Sequence, residues 1–138
     1  MANTKKLAPI LYGKRQVILY LTLVSDGTQE TDYVVYDSSA VHTILGDTDQ
    51  LNCQINSVSF TTNSAAGLVR LEWDATADVT ALTLPLASGG SFRENYAKNF
   101  VPLPNQGGAG ITGDITLTTT GLASGDTFTL ILDVRPYG

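Results

Sequence analysis

The chain has 138 residues, 43% of them hydrophobic and only 15% charged, with 13 glycines and a net charge of −5. That length fits one domain burying about two-thirds of its unfolded surface. With one Cys and one His, the composition excludes an internal disulfide framework and a Cys/His zinc site, and it does not fit a disordered chain, a coiled coil or a basic nucleic-acid binder.

The first element is a charge asymmetry. Lys5, Lys6, Lys14 and Arg15 are half of the eight basic residues and lie in the first fifteen positions, where no acid occurs. Residues 1–14 therefore read as a basic N-terminal arm ahead of a β domain at 15–138. Such an arm on an acidic body is expected to seek an acidic surface, such as another copy or a different protein. The plain alternative is a solvated terminus. Nucleic acid is disfavoured as a partner, because the acidic body repels phosphate.

The stretch after the basic start alternates and contains Gln16 and Thr22, unlike the apolar core of a signal peptide. No apolar run approaches the ~20 residues of a membrane-spanning helix. There is no glycosylation sequon, and the single Cys53 fits synthesis in a reducing compartment. The expectation is a chain made in the cytosol, soluble and without a membrane partner.

Residues 16–24 (QVILYLTLV) put Val17, Leu19, Leu21 and Leu23 on one strand face and Ile18 and Tyr20 on the other. With both faces apolar, a central or doubly covered strand is predicted. The turn at 25–30 (SDGTQE) and the strand at 31–36 (TDYVVY) complete an expected hairpin. A short helical turn is allowed within 38–52. The strand at 54–61 carries Ile55 on one face and Val58 and Phe60 on the other. Residues 68–73 (LVRLEW) alternate cleanly, and 79–84 form a further strand ending before Pro85.

Residues 87–113 form the longest irregular stretch, with one or two helical turns expected in 91–100 (SFRENYAKNF). A long loop in a compact domain usually serves function or contact. Strands at 114–120 and 126–135 read as a closing hairpin, the latter alternating Phe128, Leu130, Leu132 and Val134 with Thr127, Thr129, Ile131 and Asp133. The predicted fold is all-β: a single-domain antiparallel β-sandwich or jelly-roll-like barrel of seven or eight strands with an extended N-terminal arm.

Catalytic constellations are weak. His42 and Cys53 lack a supporting third group, and the acids mostly sit in turns beside Gly, Ser or Thr. GAGITG at 108–113 matches G-x-G-x-x-G in letters, but it follows PLPNQG and precedes a β-rich segment rather than a helix. Asp47, Thr48, Asp49 and Asn52, and the run Asp74 to Asp78, offer oxygen ligands for calcium; neither matches a full calcium loop, and Asx turns explain both. Trp73, Tyr33, Tyr36, Tyr96 and Phe100 could line a carbohydrate platform, although aromatics on alternating strands more often form core. The expectation is no enzyme, no cofactor and no metal.

Three segments carry a resemblance. LEWDAT (71–76), GITGDITLTTTG (110–121) and GDTFTLILDVRPYG (125–138), with YVVYDSSAV (33–41), resemble a group of small virion structural proteins of tailed bacteriophages. The likeness spans about residues 17 to 137 through short, β-typical motifs. It implies a non-enzymatic virion component, most simply a head decoration or cement protein on the capsid exterior. Its implied partners are the major capsid protein and copies of itself, as a trimer or dimer. A tail, connector or fibre-base component, or a jelly-roll glycan-binding module, is the alternative. The expected partner contacts are Lys5, Lys6, Lys14 and Arg15 of the arm and Phe92, Arg93, Tyr96, Phe100 and Pro102 of the long loop.

Overall fold

The computed structural model describes residues 3–12, 16–38, 40, 52–63, 68–84, 91–99 and 102–137. The strands are β1 (Thr4–Tyr12), β2 (Val17–Val24), β3 (Tyr33–Tyr36), β4 (Asn52–Thr62), β5 (Leu68–Trp73), β6 (Val79–Leu84), β7 (Ser91–Asn95), β8 (Leu103–Pro104), β9 (Ile115–Thr120) and β10 (Thr127–Tyr137). A single helical turn, α1 (Tyr96–Asn99), follows β7. The strands form two antiparallel sheets: a first in the order β1-β2-β10-β4-β7, with β8 also on β4, and a second in the order β3-β9-β5-β6. The chain is an all-β sandwich.

The core is the alternation of the sequence made physical. Val17, Leu19, Leu21 and Leu23 of β2 face Phe128, Leu130, Leu132 and Val134 of β10 across the ladder, and all eight are at most 4% exposed. The second sheet answers with Val69, Leu71 and Trp73 of β5 and Ile115 and Leu117 of β9. Burying a side chain of this kind stabilises the fold by roughly 1.5–3 kcal/mol, and Phe60 and Phe128 add a tilted ring contact at 5.5 Å.

Both expected hairpins are corrected. β2 is already paired on its two edges, with β1 and β10, so it has no edge left for β3, which pairs with β9 instead. Likewise β10 lies between β2 and β4, while β9 lies between β3 and β5. The turns at 25–30 and 121–126 therefore carry the chain from one sheet to the other. They clasp each other: Ser25 N donates to Asp126 O and Gly125 N to Ser25 O, both at 2.8 Å. Gly27 and Gly125 supply the positive φ angles of 100° and 90° that these bends need.

The expected faces of β4 are also corrected. Asp133 pairs with Ser57 but Val134 with Ile55, so Asn56 is an extra residue on β4. One inserted residue reverses the side-chain parity of a strand. Ile55 and Cys53 thereby join Val58 and Phe60 on the buried face, each at 0–1% exposure.

The N-terminal segment does not project as an arm over Thr4–Tyr12. It is the edge strand β1, paired with β2 from Thr4↔Val24 to Tyr12↔Val17, with Leu7 packed against the core. Pro9 and a register shift at Ile10 suit an edge, where a missing donor and a bulge discourage pairing with other chains. The expected helical turns of 91–100 are half strand: Ser91–Asn95 extends the sheet along β4, and only Tyr96–Asn99 is helical. In the 38–52 segment Ser38 and Ala40 are helical, with Asp37 Oδ1 accepting from Ala40 N; residues 41–51 lie outside the described residues.

Candidate interaction surface

Of the nine expected contact residues, the four that are described in strands fall on opposite edges of one sheet: Lys5 and Lys6 on one, Phe92 and Arg93 on the other. Lys5 and Lys6 are on β1 and Arg93 is on β7, separated by β2, β10 and β4, or about 19 Å at the usual strand spacing. The structure does not bring them together as one patch. Lys14, Arg15 and Phe100 lie outside the described residues.

Within each edge, alternation assigns the side chains to different tasks. Lys5 turns back into its own chain: its Nζ is 2.6 Å from Glu30 Oε1 and 4.4 Å from the centre of the Tyr33 ring. Asn3 Nδ2 donates to the other Glu30 oxygen at 2.7 Å. Lys5 thus ties the first sheet to the chain entering the second. Phe92 is in an inward row with Leu7, Leu21, Leu130 and Phe60 and packs against the core, as does the half-buried Tyr96. Burial, with the Glu94 charge adding to it, pushes the Tyr96 phenol above its ordinary range. Pro102 is half-buried beside β8. Lys6 and Arg93 are the exposed members.

These two belong to one face. The outward residues run across the sheet in register rows, Lys6–Thr22–Thr129–Thr61–Ser91 and Ala8–Tyr20–Ile131–Ser59–Arg93. A third row, Ile18–Asp133–Ser57–Asn95, is followed by a short fourth, Arg135–Gln54–Pro104, in which Arg135 is exposed. Asp133 is engaged within the face, accepting from Gln16 Nε2 at 2.8 Å and Asn56 Nδ2 at 3.4 Å. Threonine, serine and a few apolar side chains therefore occupy the middle, with Lys6 and Arg93 at the two side rims and Arg135 at the end of the central strand. Beside Arg93, residues Ser57, Ser59, Asn95 and Ile131 line a shallow depression of about 220 Å³. Val24, at the end of the same face, is 45% exposed.

A second concavity, of about 290 Å³, opens between the edges of the two sheets, lined by Leu7, Pro9, Leu19, Val34, Val35, Asp37 and Ala40. Reading the sequence missed Tyr20 and Ile131 as surface residues. For β2, apolar residues on both faces pointed to a strand covered on both sides, and the structure leaves the face of Ile18 and Tyr20 half-buried.

The other motifs are spent on folding. Trp73 is 2% exposed and Tyr36 fully buried, so neither is open to a carbohydrate; Tyr33 lies under Lys5. In GAGITG, Gly110 has φ of 78°, and a Cβ there would stand 2.1 Å from Thr76 Oγ1. The glycine lets this loop close on the 74–78 turn, where Thr76 N donates to Ala109 O. Cys53 is fully buried, donates to Gly113 O at 3.3 Å, and has its thiol pushed far up by desolvation and, less, by Asp114. That environment suppresses the thiolate a nucleophile needs; His42, like Asp47, Thr48 and Asp49, lies outside the described residues.

No protein-family model matches this chain, and no curated protein sequence matches it.

Proposed function

We propose that this chain is a non-enzymatic structural protein of a tailed-bacteriophage virion, a decoration or cement protein that seats the outer face of its first sheet on the capsid exterior. The reading starts from the resemblance of LEWDAT, GITGDITLTTTG and GDTFTLILDVRPYG. The observation that carries it further is the outer face itself: a five-strand surface of Thr, Ser, Tyr and Ile with little charge in its middle. A face of this kind loses less by desolvation than a charged one would, and a scarcity of charge is what the middle of a protein contact favours. Lys6 and Arg93 at the rims steer it towards an acidic partner.

The mechanism is mass action. A protein that binds only the expanded shell stabilises that state, and bridging neighbouring capsomers opposes the outward pressure of packaged DNA. Copies of this chain, as a dimer or trimer, would multiply the contacts per particle. Quantitative mass spectrometry of purified particles tests the reading. A ratio to the major capsid protein between one and one per few subunits is expected. A dozen or fewer copies would move the protein to the portal or tail, and absence from particles would overturn the virion reading.

A further inference from the structure

We propose that the outer face of the second sheet binds a hard divalent cation, calcium by its chemistry, between the carboxylates of Asp32, Glu72 and Asp78 with the Thr116 hydroxyl beneath them. The three acids come from separate segments: Asp32 directly precedes β3, Glu72 is in β5 and Asp78 directly precedes β6. One oxygen from each lies within 4.8 Å of the others. That is the span of ligands about 2.4 Å from a shared calcium ion.

The sheet register supplies the floor. Thr116 of β9 is the ladder partner of Glu72 on one side and of Val34 on the other, between the strand bearing Glu72 and the strand that Asp32 opens. It belongs to the outward set of β9, whose inward set is Ile115 and Leu117, yet it is only 2% exposed. Its Oγ1 is buried with no hydrogen-bond partner. A buried hydroxyl left unpaired calls for a ligand, a water or an ion, and Arg70 Nε on β5 is likewise buried without a hydrogen-bond partner. The neighbouring Thr118 shows what the other threonine of this face does. Its hydroxyl donates to Glu72 Oε1 at 2.6 Å and accepts from Asp32 N at 3.1 Å, holding two of the three acids in place.

Arg70, two residues from Glu72 on the same face of β5 and the ladder partner of Thr118, is the cation that the register places beside the cluster. Among the described residues, the ion pair found is Lys5 with Glu30, two residues before Asp32, and no cation is found paired with the three acids themselves. Asp32 is accordingly held above the ordinary carboxylate range, by burial first and then by its contact with Asp78 and the charges of Asp78, Glu72 and Asp74. Three carboxylates and a hydroxyl are hard oxygen donors, which select calcium, magnesium or manganese over zinc or copper. Because they come from three chain segments with no common loop, the larger and geometrically tolerant calcium fits better than octahedral magnesium.

The test uses the full chain, stripped with chelator, in two readouts. The first is thermal unfolding against calcium concentration. A melting point rising by about 5 °C near 10 mM calcium is expected for a site of ~1 mM affinity, with magnesium weaker at equal concentration. The second is terbium luminescence sensitised by Trp73, the sole tryptophan and the neighbour of Glu72 in sequence. Emission should saturate and be displaced by calcium. Asp78→Asn and Asp32→Asn should each abolish both signals while keeping the far-ultraviolet dichroism of the parent. Asn tolerates the φ of 52° at residue 32, so that variant tests charge rather than backbone. No calcium-dependent rise, or an equal rise in both variants, would overturn the site.

Discussion

The two sheets cover the same core from opposite sides, yet their outer faces are chemically unlike. The first is broad and nearly charge-free in its middle, and its one central acid, Asp133, is bonded to Gln16 and Asn56. The second gathers Asp32, Glu72 and Asp78 over a floor of threonines. The core needs neither arrangement, because inward alternation alone fills it. What the difference teaches is that the outward positions are not dictated by the core; as proposed, they answer to ligands outside the fold, a protein surface on one side and a cation on the other.

The comparison is broken hardest at its edge. Deleting residues 1–14 removes β1, its ladder with β2 and the packing of Leu7. At ~1 kcal/mol per ladder hydrogen bond, plus the apolar contact, the loss is on the order of 5 kcal/mol. Urea unfolding should show it directly. This deletion is therefore a test of folding rather than of contact, and the contact role of the basic end is better probed by Lys6→Glu, whose side chain is exposed. An undiminished unfolding midpoint in the truncated chain would mean that β1 contributes nothing to stability.

A smaller effect sharpens the second face. An acid whose folded-state value is raised binds protons more tightly folded than unfolded. Its penalty is fully present at neutral pH and is relieved as the pH falls through the raised value towards the ordinary 3.8. Asp32→Asn removes that penalty. In chelator, the variant should match or exceed the parent in stability at neutral pH, and the advantage should vanish near pH 4. Asp114, also raised by burial despite accepting from Ser38 N at 2.7 Å, stays in both proteins and cancels from the difference. A variant less stable than the parent at neutral pH would show that Asp32 is not repelled in the apo protein.

Much of this fold was legible because burial writes itself into alternation. The inward residues of β2, β5 and β10 could be read one by one, since each pattern is local. What escaped was set by distant partners. Nothing in SDGTQE says that β2 already has two neighbours, so a hairpin was the natural reading of a turn that joins two sheets. Lys5, Lys6, Lys14 and Arg15, with no acid among them, made residues 1–14 look like an arm, although lysines also suit an edge strand. SFREN carries a single apolar residue, Phe92, too little to show a strand. Asn56 reversed the parity of β4 without leaving a mark in composition. The acidic cluster was half visible, in Asp74 to Asp78, but its other members are brought in from residues 32 and 72 by pairing through β9.

The contact face is tested most directly by Ile131→Arg, at the centre of the row Ala8–Tyr20–Ile131–Ser59–Arg93. Purified wild-type and variant protein would be mixed with capsids lacking this protein and sedimented with them. Ile131 is half-buried and outside the core, so the variant should fold, with stability within about 1 kcal/mol of the parent. The expected result is co-sedimentation of wild type and at least a tenfold weaker association of the variant, while Asp78→Asn on the other sheet binds as wild type does. Equal binding of the Ile131→Arg variant would contradict the assignment of the first sheet's outer face to the shell.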